Sequence, residues 1–214
     1  MKKIILNSIL FVLMFCHFTF ATPYRGVEFP SGSISFVDEV VLYIPGTGVY
    51  PPYNNPYGVL GVPEFSSGAG LVSLGDGGTI VMRFNDNSLV PSGDSGYDLW
   101  IFEVGSFEPV SVEISIDGID WIYVGQTIGD GYGIDIDQYS SSGVELGEKY
   151  SFVRLLDLLP ATTPSPDAGA DIDSVGAISS GAPINPVPEP ATIILLGTGL
   201  LGLVGASRKK FKRK

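Results

Sequence analysis

Single-residue alternation, broken repeatedly by glycine and proline, constrains this chain more than any other feature, and no long amphipathic helical stretch interrupts it. Thr79 to Phe84 sets Ile80, Met82 and Phe84 against Thr79, Val81 and Arg83. Val110 to Ile116 sets Val110, Val112, Ile114 and Ile116 against Ser111, Glu113 and Ser115. A strand turns successive side chains to opposite faces, so period two marks strands with one buried face. Asp117-Gly118 follows at once and predicts a two-residue hairpin into a strand from Asp120 to Val124. Ser33 to Ile44, Tyr97 to Val104 and Tyr150 to Asp157 read as further strands. Short strands with glycine-rich turns and little helix pack as two antiparallel sheets, so the fold class is an all-β sandwich spanning residues 22–178. That length suits one hydrophobic core.

The two ends read differently. Lys2 and Lys3 precede an apolar stretch from Ile4 to Phe20, and Thr19-Phe20-Ala21 carries small residues at the usual cleavage positions. Residues 1–21 therefore read as a secretory signal peptide. Cys16 follows Leu13-Met14-Phe15 and lacks the small preceding residue that lipid attachment needs. Cleavage after Ala21 removes Cys16 and His17, the only cysteine and the only histidine. The exported body then has no disulfide, no thiolate nucleophile, no cysteine-rich zinc site and no histidine base. Gly93-Asp94-Ser95-Gly96 resembles the nucleophile loop of trypsin-like serine proteases, but with no histidine to take the serine proton it reads as a turn.

At the C-terminus, Pro188-Glu189-Pro190 precedes an apolar run from Ala191 to Ala206 and then Arg208, Lys209, Lys210, Lys212, Arg213 and Lys214. The 16 apolar residues span roughly 24 Å as a helix, short of the roughly 30 Å hydrocarbon core, and the basic end makes up the shortfall by snorkelling. The cations also favour the cytoplasmic side, so one C-terminal transmembrane helix holds the body outside. This order and spacing, over residues 188–214, resembles the PEP-CTERM sorting signal of bacterial surface proteins. The resemblance implies an exosortase-like processing enzyme as partner, a Gram-negative envelope, and an exopolysaccharide context. It further implies an inner-membrane tethered precursor that becomes a cell-surface or extracellular-matrix protein. Residues 179–187, with Pro183 and Pro186, read as an extended linker. Leu159-Pro160-Ala161-Thr162-Thr163 approaches a Gram-positive sortase signal, but Thr163 replaces the glycine and the apolar run is distant.

Charge is segregated along the chain. Between residues 22 and 187 only Arg25, Arg83, Lys149 and Arg154 are cationic, against 22 carboxylates, a balance of −18 in a chain whose total is −11. With no basic patch outside the tail, nucleic acid is excluded as a partner. An acidic body suits solubility outside the cell or binding of hard cations through oxygen. Asp167, Asp171 and Asp173 cluster late in the body and form a candidate Ca²⁺ site, with Asp135 and Asp137 a second pair. Neither fits the EF-hand pattern.

Two charges break the apolar patterning. Alternation puts Glu103 on the face of Leu99 and Ile101, and Arg154 on that of Tyr150, Phe152 and Leu156. An ion pair between Glu103 and Arg154 would spare either from burial alone, which costs several kcal/mol; a rim position for both is the alternative. Among the aromatics, Trp100, Trp121, Tyr123, Tyr132 and Tyr139 offer flat faces for sugar rings, with Trp121 and Tyr123 as candidate glycan-stacking residues. Core packing is their other use, above all for Trp100. Asp98-Leu99-Trp100-Ile101-Phe102-Glu103, Ser115-Ile116-Asp117-Gly118-Ile119-Asp120-Trp121 and Gly169-Ala170-Asp171-Ile172-Asp173-Ser174-Val175 resemble, in that order, the jelly-roll sandwich modules of bacterial surface proteins, broadly similar to galactose-binding and discoidin-like domains. The expectation is a non-enzymatic surface protein with a structural or adhesive sandwich. A lectin-like carbohydrate-binding module, calcium-dependent or not, is the alternative, and a carboxylate-based glycan hydrolase a more distant one.

Overall fold

Ile80, Met82 and Phe84 point together into the interior, as their alternation requires, and so do Val110, Val112 and Ile114; each is almost wholly removed from solvent. The computed structural model describes residues 21–64, 70–105, 108–127, 131–158 and 168–184. Within them the chain forms β1 (Thr22–Tyr24), β2 (Val27–Phe29), β3 (Glu39–Ile44), β4 (Val72–Ser73), β5 (Thr79–Arg83), β6 (Ser88–Leu89) and β7 (Leu99–Glu103). There follow β8 (Val110–Ser115), β9 (Ile122–Thr127), β10 (Tyr132–Ile134), β11 (Phe152–Asp157), β12 (Asp171–Ala177) and β13 (Ser180–Gly181). Short 3₁₀ segments occupy Gly32–Ser35, Pro56–Val59 and Ile136–Ser142.

Every ladder among the described residues is antiparallel. A five-stranded sheet, β3-β5-β11-β8-β9, faces a four-stranded sheet, β10-β7-β12-β4. Ile80, Val112 and Leu155 from the first meet Leu99, Ile101 and Val175 from the second in one continuous core. The fold is thus the expected antiparallel sandwich. A second, smaller core lies on the other face of the four-stranded sheet, where Phe29 and Phe36 pack with Phe102. The Phe29 and Phe36 rings stand 4.7 Å apart. Gly176 on β12 makes room for them, since a Cβ there would lie 2.6 Å from the Phe29 ring.

Three local expectations are corrected. Residues 33–35 belong to a 3₁₀ turn, and the strand begins at Glu39. The turn after β8 is wider than two residues, because Ile114 pairs with Ile122. Side chains hold it open: the Asp117 carboxylate accepts from the Ile119 and Asp120 N–H groups at 2.8 and 3.1 Å, and the Ser115 hydroxyl accepts from Gly118 N–H at 2.9 Å. Ile116, expected on the buried face, lies exposed in this loop.

The third correction concerns the ion pair. Val153, Leu155 and Asp157 are the buried residues of β11, so Arg154 lies on the outer face of the five-stranded sheet. It pairs there with Glu113, directly opposite on β8, and its guanidinium stands 4.3 Å from the centre of the Trp121 ring. Glu103 is buried on β7 in the other sheet, on the inner face with Leu99 and Ile101. A charge outside one sheet and a charge inside the other do not meet, so Glu103 and Arg154 form no pair.

Among the described residues no helix is long and apolar enough to cross a membrane. The expected signal peptide up to residue 20, the transmembrane run 191–206 and the basic tail lie outside those residues.

Candidate ligand-binding cleft

The sandwich has an open edge where β9, the last strand of one sheet, approaches β10, the last strand of the other. An extra residue in β9 bends that edge. Ser111 pairs with Gln126 and Glu113 with Tyr123, so one residue of β8, Val112, opposes two of β9 and the strand bulges at Val124-Gly125. Gly125 takes φ +117° there, and a Cβ would stand 2.6 Å from the Tyr139 phenol oxygen. On β10, a Cβ at Gly133 would lie 2.4 Å from the Tyr97 ring. Each glycine therefore stands where an aromatic ring lies against backbone.

The result is a cleft of about 240 Å³ lined by Tyr97, Tyr132 and Tyr139 together with Gln126, Gln138 and Asp135. That is below the roughly 300–1,000 Å³ of sites for drug-sized molecules and suits one ring at a time. Tyr123 extends the aromatic surface, its ring perpendicular to Tyr139 at 6.2 Å. Tyr97 in turn meets Trp100 edge-on at 5.6 Å. Burial raises the pKa of the Tyr139 phenol, and the neighbouring Tyr123, Tyr132 and Asp135 reinforce the shift, so it keeps its proton as a hydrogen-bond donor.

Carboxylates fix the 3₁₀ segment that carries Gln138 and Tyr139. Asp135 caps it, accepting from Asp137 N–H at 3.1 Å and from the Gln138 side-chain amide at 3.0 Å. Asp98, fully buried at the start of β7, accepts from Ser92 N–H and Ile136 N–H, both at 2.9 Å. Asp137 accepts from Gly93 N–H at 2.9 Å, tying the Gly93-Asp94-Ser95-Gly96 turn to the segment. That stretch is a turn, as expected: the Asp94 carboxylate accepts from Gly96 N–H at 2.6 Å. Burial pushes Asp98 up to about 6, against the pull of its hydrogen-bond donors and with a further push from Asp137. Oxygens of Asp98, Asp135 and Asp137 lie within 4.8 Å of one another, a spacing a divalent cation can use. Protein N–H groups take some, but not all, of the acceptor positions of these carboxylates.

Of the residues expected to hold calcium, Asp171 and Asp173 are used otherwise. Asp167 lies outside the described residues. Asp171 accepts from the Ser73 hydroxyl. Asp173, at a register shift in β12, accepts from Glu64 N–H at 3.0 Å and pairs with the Arg25 guanidinium at 3.3 Å. A cation already neutralises it, and the shift breaks the simple i, i+2 geometry. Of the expected stacking residues, Tyr123 stands beside the cleft, whereas Trp121 lies under Arg154. Asp98 was not anticipated. It is 37 positions from Asp135, and only the β7–β10 pairing brings them together.

Comparison with known proteins bears mainly on the tail. A family model for the PEP-CTERM protein-sorting motif matches residues 186–209. The chain ends in a PEP-CTERM sorting signal. The match begins two residues before Pro188 and stops within the basic run, at Lys209. A PEP-CTERM signal implies an exported protein sorted by exosortase to the cell surface or beyond. No curated protein matches the chain. Among solved structures, the C-terminal domain of a chitobiase from Bacteroides fragilis aligns over 72% of this chain and 99% of its own, at 13% identity and a TM-score of 0.40. At that similarity it says nothing of ligand or activity.

Proposed function

We propose that the PEP-CTERM tail delivers a lectin-like adhesive module, which holds the protein to a surface or matrix saccharide through the tyrosine cleft. The observation that carries this reading is the pairing of three tyrosine rings with the amides of Gln126 and Gln138 and the Asp135 carboxylate in one cleft. A sugar presents an apolar C–H face and a rim of hydroxyls. Aromatic faces take the first, and convergent amides and carboxylates take the second.

The same geometry favours binding over hydrolysis. Glycosidases set two carboxyl groups about 5 to 10 Å apart on either side of the bond they cut. Of the three clustered carboxylates, Asp98 is buried behind the cleft and all three approach within 4.8 Å, so they do not flank it. The module needs no cofactor in this reading, and calcium is not required.

Glycan-array screening of the full chain, followed by titration of any hit, tests the proposal. The double substitution Tyr132→Ala with Tyr139→Ala is expected to weaken binding at least tenfold. An array without hits, or an unchanged affinity in the double variant, would leave a purely structural sandwich as the better account.

A further inference from the structure

The distribution of charge around the cleft narrows its ligand. The body's four cations all have other places. Arg25 is held by buried Asp173. Arg83 lies beside Glu39 at 4.0 Å and over the Phe152 ring at 5.3 Å. Arg154 lies between Glu113 and Trp121, and the Lys149 side chain runs toward the β13 backbone at Gly181. None lines the cleft, whereas Asp135 does, with Asp137 and Asp98 close behind it.

Each Asp135 oxygen accepts one hydrogen bond, from Asp137 N–H and from the Gln138 amide respectively. A carboxylate offers about four acceptor positions, so Asp135 can take a further donor. Tyrosine rings line the same cleft, and an aromatic π face attracts a cation electrostatically. Around them is a body of net charge −18, which repels polyanions before they arrive.

Building on the saccharide-binding reading, we infer that the cleft takes amino sugars bearing a free, protonated amine, with the ammonium on Asp135 among the tyrosine rings, in preference to neutral, N-acetylated or uronic saccharides. The ammonium offers three N–H donors; N-acetylation removes its charge, and a uronate brings the wrong one. In an exopolysaccharide, the matching partner is a partly or fully deacetylated hexosamine polymer.

The test uses the full chain in a polyoxyethylene detergent, which carries no sugar or charge, with three probes: a glucosamine oligomer, its N-acetylated counterpart and an oligouronate of equal length. Calorimetric titration is expected to give the glucosamine oligomer at least a tenfold advantage over the N-acetylated one and no binding of the oligouronate. Asp135→Asn should remove most of that advantage. Tyr132→Ala leaves every charge in place and separates cleft binding from general attraction to an acidic protein; it too should weaken the glucosamine oligomer at least tenfold. Equal affinity for the acetylated and free-amine oligomers, or an undiminished advantage in Asp135→Asn, would overturn the amine inference while leaving saccharide binding intact; retained affinity in Tyr132→Ala would place binding outside the cleft and overturn both readings. If no saccharide binds, on the array or here, the saccharide reading itself has failed.

Discussion

The two ends of the β7–β12 ladder are both rich in carboxylate and glycine, yet they use them in opposite ways. At the Asp171 end, glycine lets backbone touch backbone: a Cβ at Gly169 would lie 2.6 Å from the backbone of Gly75, and one at Gly46 would lie 2.2 Å from the Asp76 carbonyl oxygen. Asp157 then bonds two strand-end N–H groups, Gly77 at 3.2 Å and Ala170 at 3.0 Å, while Asp173 holds Arg25. At the Asp98 end, glycine lets aromatic rings touch backbone at Gly125 and Gly133, and a cleft is left between the rings. The lesson is that a run of aspartates is not by itself a site. Carboxylates packed against closed backbone act as latches, and those beside a cleft can meet a ligand.

The largest effect that would sharpen this contrast belongs to the closed end. Asp157→Ala strands two N–H donors beside a buried site and is expected to cost about 2–4 kcal/mol in urea unfolding, with no recovery in millimolar calcium. Recovery with calcium would break the contrast by making the latch a metal site.

Next comes pH, at the cleft end. Asp98 in the fold is raised to about 6, above its ordinary value of roughly 3.9. A raised carboxylate holds its proton more tightly when folded. Its contribution is therefore fully present below about pH 4 and is lost as pH climbs through about 6. Unfolding free energy measured from pH 4 to 7 should fall by an amount of order 2 kcal/mol that disappears in Asp98→Asn. An identical slope in the variant would contradict the assignment.

Gly125→Ala follows. It places a Cβ 2.6 Å from the Tyr139 phenol oxygen at a positive φ, which should cost roughly 1–2 kcal/mol and misplace the ring. Saccharide affinity is expected to drop more than stability does, and calorimetry beside thermal melting reads both. The smallest effect is that of Arg154→Met. Its partner Glu113 lies on the open face of the five-stranded sheet, so the loss should stay below about 1 kcal/mol in the melting curve. A loss of several kcal/mol would instead place Arg154 in a buried pair.

Much of the sandwich was legible before the structure. Ile80, Met82 and Phe84, and likewise Val110, Val112 and Ile114, follow period two into the core. The same rule put Arg154 correctly beside Phe152 and Leu156 but could not say which face was the outer one, since both faces of β11 carry large apolar residues. In the sequence Tyr132 and Tyr139 are only flat-faced aromatics, and the stacking candidates are Tyr123 and Trp121; nothing local separates Tyr123 from Trp121, whose ring lies under a guanidinium. The cleft depends on a one-residue slip in β9 and on Asp98 reaching the Ile136 N–H. Both are products of strand register, which period-two patterning alone does not reveal. The tail was readable for the opposite reason: its signal is contiguous in sequence and needs no fold.

The difference between the two ends can be measured in one titration. Amide chemical shifts of the full chain, followed as the glucosamine oligomer is added, should move at Gly125, Gln126, Gly133 and Gln138 and remain still at Gly169, Asp171 and Asp173. Shifts concentrated at the Asp171 end, or spread evenly over the acidic surface, would contradict the account.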